Sequence, residues 1–88
     1  MYQLKGKIKR IEALNVVSEK FSKREFVIET SDQYPQDVKF QLVNDKCSKI
    51  DAFGIGQEVE VSFNIRGKDF VKDEKILLYN SLDAYEIK

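Results

Sequence analysis

The stretch that decides the fold runs Glu58-Val59-Glu60-Val61-Ser62-Phe63-Asn64-Ile65. Polar and apolar residues alternate through all of it, which is the period-2 pattern of a strand with one buried face. The charged run Lys72-Asp73-Glu74-Lys75 follows and is typical of an exposed hairpin tip. We therefore predict a hairpin whose second strand covers residues 76–87, with one shift of register after Ala84.

Three further strands are predicted upstream, over residues 2–11, 23–30 and 38–43, with loops at 17–22 and 31–37. In the first strand the apolar positions slip by one between Ile8 and Ile11, which predicts a bulge or bend near Lys9 and Arg10. Alternation along the strands, with the helical spacing described next, predicts four buried aromatic side chains: Phe26, Phe40, Phe53 and Phe63.

A single helical pattern lies between the third and fourth strands. Cys47, Ile50 and Phe53 recur three residues apart, which places them on one face of a helix of about nine residues. Asn44 or Asp45 is predicted to cap its start, and Gly54 to end it in the left-handed conformation. A helix this short needs a sheet to pack against.

The predicted order is β-β-β-α-β-β in one domain, residues 1–88. This order is typical of the oligonucleotide-binding (OB) fold, a five-stranded Greek-key barrel that binds oligomers on its second and third strands and its hairpin loops. The fold class is thus all-β with one short helix. An SH3-like or split barrel is the alternative, although neither leads us to expect a helix at that position.

The composition argues against catalysis. The chain contains no histidine and one cysteine, Cys47, so histidine bases and mixed Cys/His metal sites are excluded. We predict no enzyme activity, no cofactor and no metal. The first residues lack the apolar core of a signal peptide, which predicts a cytoplasmic protein without a membrane partner. The net charge is zero, with a basic excess in residues 1–30 and an acidic excess in 31–60.

Several blocks resemble one known family. They are Lys23-Arg24-Glu25-Phe26-Val27-Ile28-Glu29-Thr30 with Gln33-Tyr34-Pro35, then Phe53-Gly54-Ile55-Gly56-Gln57-Glu58, Asn64-Ile65-Arg66-Gly67-Lys68 and Leu82-Asp83-Ala84-Tyr85-Glu86-Ile87. The sequence is similar to a small, uncharacterised OB-fold domain family of bacteria and their phages, which resembles single-stranded-DNA-binding proteins. The resemblance implies the fold more directly than it implies an activity.

Binding of a single strand needs cations along the phosphates and flat side chains on which bases stack. The residues predicted to do this lie on the outer faces of the first and third strands, at the start of the second, at the end of the fourth and in the two hairpin loops: Lys5, Lys7, Lys9, Phe21, Lys23, Arg24, Lys39, Arg66, Lys68 and Phe70. The alternative interpretation of the lysines is a solvated strand face that discourages edge pairing. Tyr34 and Tyr79 are two further aromatic residues beside loops.

The leading hypothesis is a non-catalytic module that binds single-stranded nucleic acid, DNA rather than RNA, with modest affinity and low sequence specificity. The alternative is a protein-interaction or assembly module of a bacterial or phage complex. That alternative is favoured by the neutral net charge and by Val27 and Val43, which alternation places on the outer face. Self-association is compatible with both hypotheses.

Overall fold

The computed structural model describes residues 2–88 and contains six strands and one 3-10 helix. In chain order these are β1 (Tyr2–Ile11), β2 (Asn15–Ser18), β3 (Phe21–Thr30), β4 (Asp37–Val43), the 3-10 helix (Asn44–Ala52), β5 (Glu58–Lys72) and β6 (Lys75–Ile87).

Five of the strands close into a barrel. β1 pairs with both β3 and β5, β5 pairs with β6, and β3 pairs with β4. The ring is completed by one parallel pair, Gln41 with Asp83, between β4 and β6. This connectivity confirms the predicted OB-fold, since the helix lies between the third and fourth barrel strands.

β1 can serve two neighbours because it bends. Its pairing with β3 shifts register between Ile8 and Arg10, which confirms the predicted bulge. At the bend a Cβ on Gly6 would lie 2.3 Å from the backbone oxygen of Glu29. Only glycine allows β1 to approach β3 this closely while it also pairs with β5.

The core is built around three phenylalanines whose rings are in contact, one pair stacked and the other edge-to-face. The ring centroids of Phe26 and Phe40 lie 5.5 Å apart, and those of Phe40 and Phe63 lie 5.0 Å apart. All three are buried, as the alternation predicts, whereas Phe53 is half-buried at the margin of the cluster. Val27 lies outside this core cluster and pairs with the exposed Lys39, as expected for the outer face, but it is covered there and is only 4% exposed.

The first hairpin differs from the prediction of a loop over residues 17–22. Asn15–Ser18 forms β2, which pairs with the start of β3, so Phe21 and Ser22 belong to a strand. β2 cannot be predicted from the sequence because all four of its side chains are exposed and show no apolar alternation.

The helical segment is present but has a different geometry. It is a 3-10 helix that buries Cys47 and Ile50, and no side chain caps its start. Asn44 has φ 51° and its side-chain oxygen accepts a hydrogen bond from the Ser22 N–H, 3.0 Å away, instead of capping. Gly54 does not adopt the left-handed conformation; among the glycines of residues 2–88 only Gly56 does, with φ 91°.

In the last hairpin the predicted tip and second strand are confirmed, but the first strand extends further than predicted. β5 continues through Lys72, and a two-residue turn at Asp73 and Glu74, both at positive φ, leads into β6. Such a turn matches the twist of paired strands. Residues 64–80 are all exposed, so this part of the hairpin, which we call the arm, projects from the barrel. Phe70 therefore lies in a strand rather than in a loop.

The predicted register shift in the last strand is confirmed. Ser62 pairs with Glu86 whereas Phe63 pairs with Ala84, so Tyr85 is an extra residue opposite β5.

Candidate functional site

Lys9, on the outer face of β1, is engaged by carboxylates. Its Nζ lies 2.8 Å from Asp37 Oδ2 and 3.7 Å from Glu29 Oε2. The hydrogen bond that it donates to Asp37, together with the charge of that carboxylate, raises the pKa of Lys9 above its usual 10.5. This cation is therefore already compensated within the protein.

The other two predicted lysines of β1, Lys5 and Lys7, also lie beside acidic residues of the neighbouring strands. Lys5 Nζ is 3.8 Å from Glu60 Oε2. Lys7 stands in register opposite Glu29 on one side and Glu58 on the other, although no carboxylate of residues 2–88 lies within 4 Å of its Nζ. The row of lysines is thus flanked by acidic residues on both neighbouring strands.

Arg24 is held by the fold. Its guanidinium forms an ion pair with Asp51 of the 3-10 helix and donates a hydrogen bond to the backbone oxygen of Glu12, 3.0 Å away. The side chain is only 20% exposed. These contacts join β3 to the 3-10 helix and leave little of the guanidinium open to a ligand.

Phe21 lies at the opposite end of β3 from the β3–β4 loop, and it is 37% exposed. It lines a shallow hollow beside β2, together with Val16, Lys20 and the acidic residues Glu19 and Asp45. The structure does not group Phe21 with the other predicted aromatic residue, Phe70.

A groove brings together several of the remaining residues. It lies between the outer face of β3 and β4 and the root of the arm, with a volume of about 430 Å³. Its lining includes Lys23, Glu25, Lys39, Gln41, Tyr79 and Ser81. Lys39 Nζ is 3.2 Å from Glu25 Oε2, whereas Lys23 has no carboxylate of residues 2–88 within 4 Å.

The arm continues the groove with alternating cations and rings. Paired residues of an antiparallel ribbon share a face, and faces alternate along each strand. The pairs Arg66–Ser81, Lys68–Tyr79 and Phe70–Leu77 therefore lie on one face, which we call the aromatic arm face.

The rings of the aromatic arm face contact each other. The centroids of Phe70 and Tyr79 lie 5.5 Å apart at an interplanar angle of 72°, an edge-to-face arrangement. Lys68 Nζ lies 5.5 Å from the centre of the Phe70 ring. Because Phe70 is 46% and Tyr79 61% exposed, both rings keep open surface for stacking.

Arg66 stands at the base of the aromatic arm face. Its Nε lies 3.5 Å from Asp83 Oδ2, and the side chain is 69% exposed. An exposed pair of this kind contributes little to stability, so the guanidinium can exchange its carboxylate for another anion at small cost.

The sequence did not identify Tyr79 as a site residue, although it stood out as a ring beside a loop. The signal that finds it is the register of the hairpin, which pairs Tyr79 with Lys68. That register depends on the turn at Asp73 and Glu74.

Residues 2–88 contain no group of three or more acidic, cysteine or histidine side chains placed to hold a metal ion. The helical structure in the same residues lacks the length and apolarity that a membrane crossing requires.

Comparison with solved structures finds the same fold in several other proteins. Rim1, the mitochondrial single-stranded DNA binding protein of S. cerevisiae, superimposes with a TM-score of 0.74 at 14% identity, over 99% of this chain and 90% of that one. The dimeric N-terminal domain of PriB from Thermoanaerobacter tencongensis gives 0.65 at 14% identity, over 99% and 91%.

A third neighbour is the small single-stranded DNA-binding protein of Streptomyces coelicolor, with a TM-score of 0.63 and 9% identity, over 99% of this chain and 90% of that one. At such identities the likeness establishes the fold alone. No curated protein matches the sequence significantly. Residues 3–88 match the profile of the family described as Domain of unknown function (DUF3127), and the chain belongs to that family.

Proposed function

We propose that this protein is a non-catalytic module that binds single-stranded nucleic acid, DNA rather than RNA, with modest affinity and little sequence preference. The observation that carries the proposal is the continuity between the groove and the aromatic arm face. Cations at Lys23 and Lys39 lead to Arg66, Lys68 and the two rings of the arm.

The chemistry of this route suits a flexible polyanion. Lysine and arginine side chains neutralise phosphates, while the open faces of Phe70 and Tyr79 offer stacking for bases of any identity. The groove lies on the outer face of β3 and β4 beside the last hairpin, which is where OB-folds bind oligomers. Two of the structural neighbours are single-stranded-DNA-binding proteins, which supports the proposal.

Ion pairs within the protein explain why we expect the affinity to be modest. Lys39 and Arg66 can release their carboxylates, Glu25 and Asp83 respectively, at small cost, but these carboxylates stay beside the route and weaken its attraction for phosphates. Four phosphate contacts would give a slope of about −3 for log K against log salt concentration, because each contact on a single strand contributes about −0.7.

The test is fluorescence anisotropy of a labelled thymine-rich strand of about 20 nucleotides, titrated at two salt concentrations. We expect saturable binding that weakens with salt and that exceeds binding to a duplex or to the matching RNA. Absence of salt-dependent binding at tens of micromolar protein would contradict the proposal.

Tyr79→Ala locates the site. Removal of the ring is expected to cost about 1–3 kcal/mol, or about 5- to 150-fold in Kd, through lost stacking. Tyr34→Ala is the matched control, since Tyr34 is 75% exposed in the β3–β4 loop, outside the lining of the groove. Equal effects of the two substitutions would rule out the arm as the stacking surface.

The lysines of β1 and Phe21 stay predictions that the same titration addresses. Lys7→Gln and Phe21→Ala are each expected to change Kd less than Lys68→Gln, because the structure separates them from the groove lining. An effect larger than that of Lys68→Gln would move the phosphate track to β1 and the first hairpin.

The alternative function, a protein-interaction module, is favoured by one feature. The face of the arm opposite the aromatic arm face carries exposed apolar side chains. Val27 no longer supports this alternative, because it is buried, and Val43 is half-buried.

A further inference from the structure

The arm has a second face whose chemistry differs from that of the aromatic arm face. The pairs Val71–Ile76, Asp69–Leu78, Gly67–Asn80 and Ile65–Leu82 lie on it, because these residues alternate with those of the first face. We call its four most exposed apolar residues, Ile65, Val71, Ile76 and Leu78, the apolar arm face.

These four side chains are open to solvent to an unusual degree. Their exposures are 53% for Ile65, 77% for Val71, 71% for Ile76 and 62% for Leu78. If each of these side chains exposes on the order of 100 Å², the four together expose about 400 Å² of apolar surface along one face of the ribbon. Contiguous patches of that size on a small protein mark interaction sites.

Beyond its root, where Tyr79 and Asn80 border the groove, the arm lacks support from the barrel. Its residues pair only with each other, and all of residues 64–80 are exposed. A two-stranded ribbon is marginally stable in water unless a third strand or another packed surface covers one face. A partner on the apolar arm face would supply the cover that the barrel does not.

The charge of the face selects the kind of partner. No lysine or arginine lies on it within residues 65–82, and its one charged residue is Asp69. Phosphate groups of a nucleic acid or a lipid surface would therefore meet a carboxylate and no cation. The partner that this face accepts is a protein.

A second copy of the chain meets the requirements. The net charge of zero removes the long-range repulsion that opposes self-association. When two ribbons pack face to face and antiparallel, the apolar tip pair Val71 and Ile76 of each lies over Ile65 at the root of the other, beside Leu82, whose side chain packs partly against the barrel core. The central rows then bring Asn80 of each copy, whose amide can donate, near Asp69 of the other.

We propose that the apolar arm face joins two copies of this chain into a two-fold dimer, independently of any nucleic acid. The apolar side chains provide about half of the roughly 800 Å² per partner that a standard interface buries, and Asp69, Asn80 and the strand edges add to that area. Because the apolar contact falls short of a standard interface, we expect a weak dimer, with a Kd on the order of micromolar. The aromatic arm face of each copy stays open in such a dimer.

The test is sedimentation equilibrium of the intact chain from about 1 to 200 µM, without nucleic acid. The wild type is expected to pass from monomer to dimer over this range. Leu78→Lys is expected to raise the dimer Kd at least tenfold, because it places a charge in the apolar contact. Leu77→Lys is the matched control, since Leu77 is the adjacent residue on the opposite face.

Ile76→Lys provides a second variant should Leu78→Lys unfold, which circular dichroism would reveal. The proposal is overturned if the wild type stays monomeric at 200 µM, or if the dimer persists unchanged in the folded variants of the apolar arm face. It is also overturned if Leu77→Lys weakens the dimer as much as Leu78→Lys does. The binding titration of Tyr79→Ala is read separately, so failure of either proposal leaves the other intact.

Discussion

The barrel and the arm share the same alternating sequence pattern, but the apolar residues are buried in the barrel and exposed in the arm. In β5, Val59, Val61 and Phe63 face the barrel interior and are buried, with exposures of 2%, 0% and 8%. Further along the same strand the alternation continues, yet Ile65 and Val71 are exposed to 53% and 77%. The same strand therefore has one buried face within the barrel and two exposed faces within the arm.

This difference shows that alternation reports two chemically distinct faces rather than burial. Within the barrel one face meets other strands and becomes core. Beyond its root, where Tyr79 borders the groove, the arm does not meet the barrel, so most of the aromatic arm face and of the apolar arm face is available to partners. Substitutions in the barrel should thus change folding, while substitutions in the arm should change binding or assembly.

Phe40→Ala should have the largest effect on folding. The ring is fully buried and contacts the rings of Phe26 and Phe63, so its removal leaves a cavity. We expect a loss of about 4 kcal/mol in the free energy of unfolding, measured by urea denaturation. Phe70→Ala in the arm is the counterpart and should cost less than about 1 kcal/mol. Similar losses would erase the distinction between the two regions.

Two glycines sharpen the comparison at the level of the backbone. A Cβ at Gly6 in the barrel would meet the Glu29 backbone oxygen at 2.3 Å, which only a shift of β1 or β3 can relieve. A Cβ at Gly67 in the arm would meet Asn80 Oδ1 at 2.6 Å, the end of a side chain that can rotate away. We expect Gly6→Ala to cost about 3 kcal/mol and Gly67→Ala less than about 1 kcal/mol in thermal unfolding.

Tyr85→Phe tests a buried polar group of the barrel that has no hydrogen-bond partner within residues 2–88. The Tyr85 hydroxyl is buried and has no hydrogen-bond partner among residues 2–88. Removal of an unpaired buried polar group should raise the free energy of unfolding, by about 1 kcal/mol. Tyr2→Phe serves as the control, because Tyr2 is 52% exposed. Destabilisation by Tyr85→Phe would mean that the hydroxyl does make a bond in solution.

The smallest effect is expected on the outer wall of the barrel, at Lys9. Its pKa in the folded state is raised above 10.5 by Asp37, so its stabilising contribution is present below pH 10.5. That contribution is lost as the pH rises through the folded-state pKa. The difference in Tm between the wild type and Lys9→Gln should therefore shrink above pH 10.5. A difference that stays constant with pH would exclude the ion pair as its source.

The sequence predicts the barrel well because its signals are local. Alternation marks the strands, and the slip between Ile8 and Ile11 marks the bulge of β1. β2 was missed because its side chains are all exposed and carry no pattern. The charges of residues 72–75 mark the tip of the arm, but the extent of β5 is not predicted, because the charged residues after Ile65 resemble a loop whereas pairing with β6 continues the strand to Lys72.

The candidate site was less predictable, since it depends on which strands become neighbours. Lysines in a row on β1 resemble a phosphate track in the sequence. Only the register reveals that Glu60 and Asp37 contact Lys5 and Lys9. Equally, nothing local places Tyr79 beside Phe70. Residue types can be predicted as candidates, but their grouping is a property of the tertiary fold.

The closure of the barrel by one parallel pair, Gln41 with Asp83, has a consequence for how the molecule opens. β1 is bonded to both halves of the barrel, to β3 over five registered positions and to β5 over six. Separation of β4 from β6 therefore breaks the fewest backbone hydrogen bonds. The pairing of β1 with both β3 and β5 would still hold the two halves of the barrel together. Amide hydrogens along this seam should exchange through local opening, well before the whole barrel unfolds.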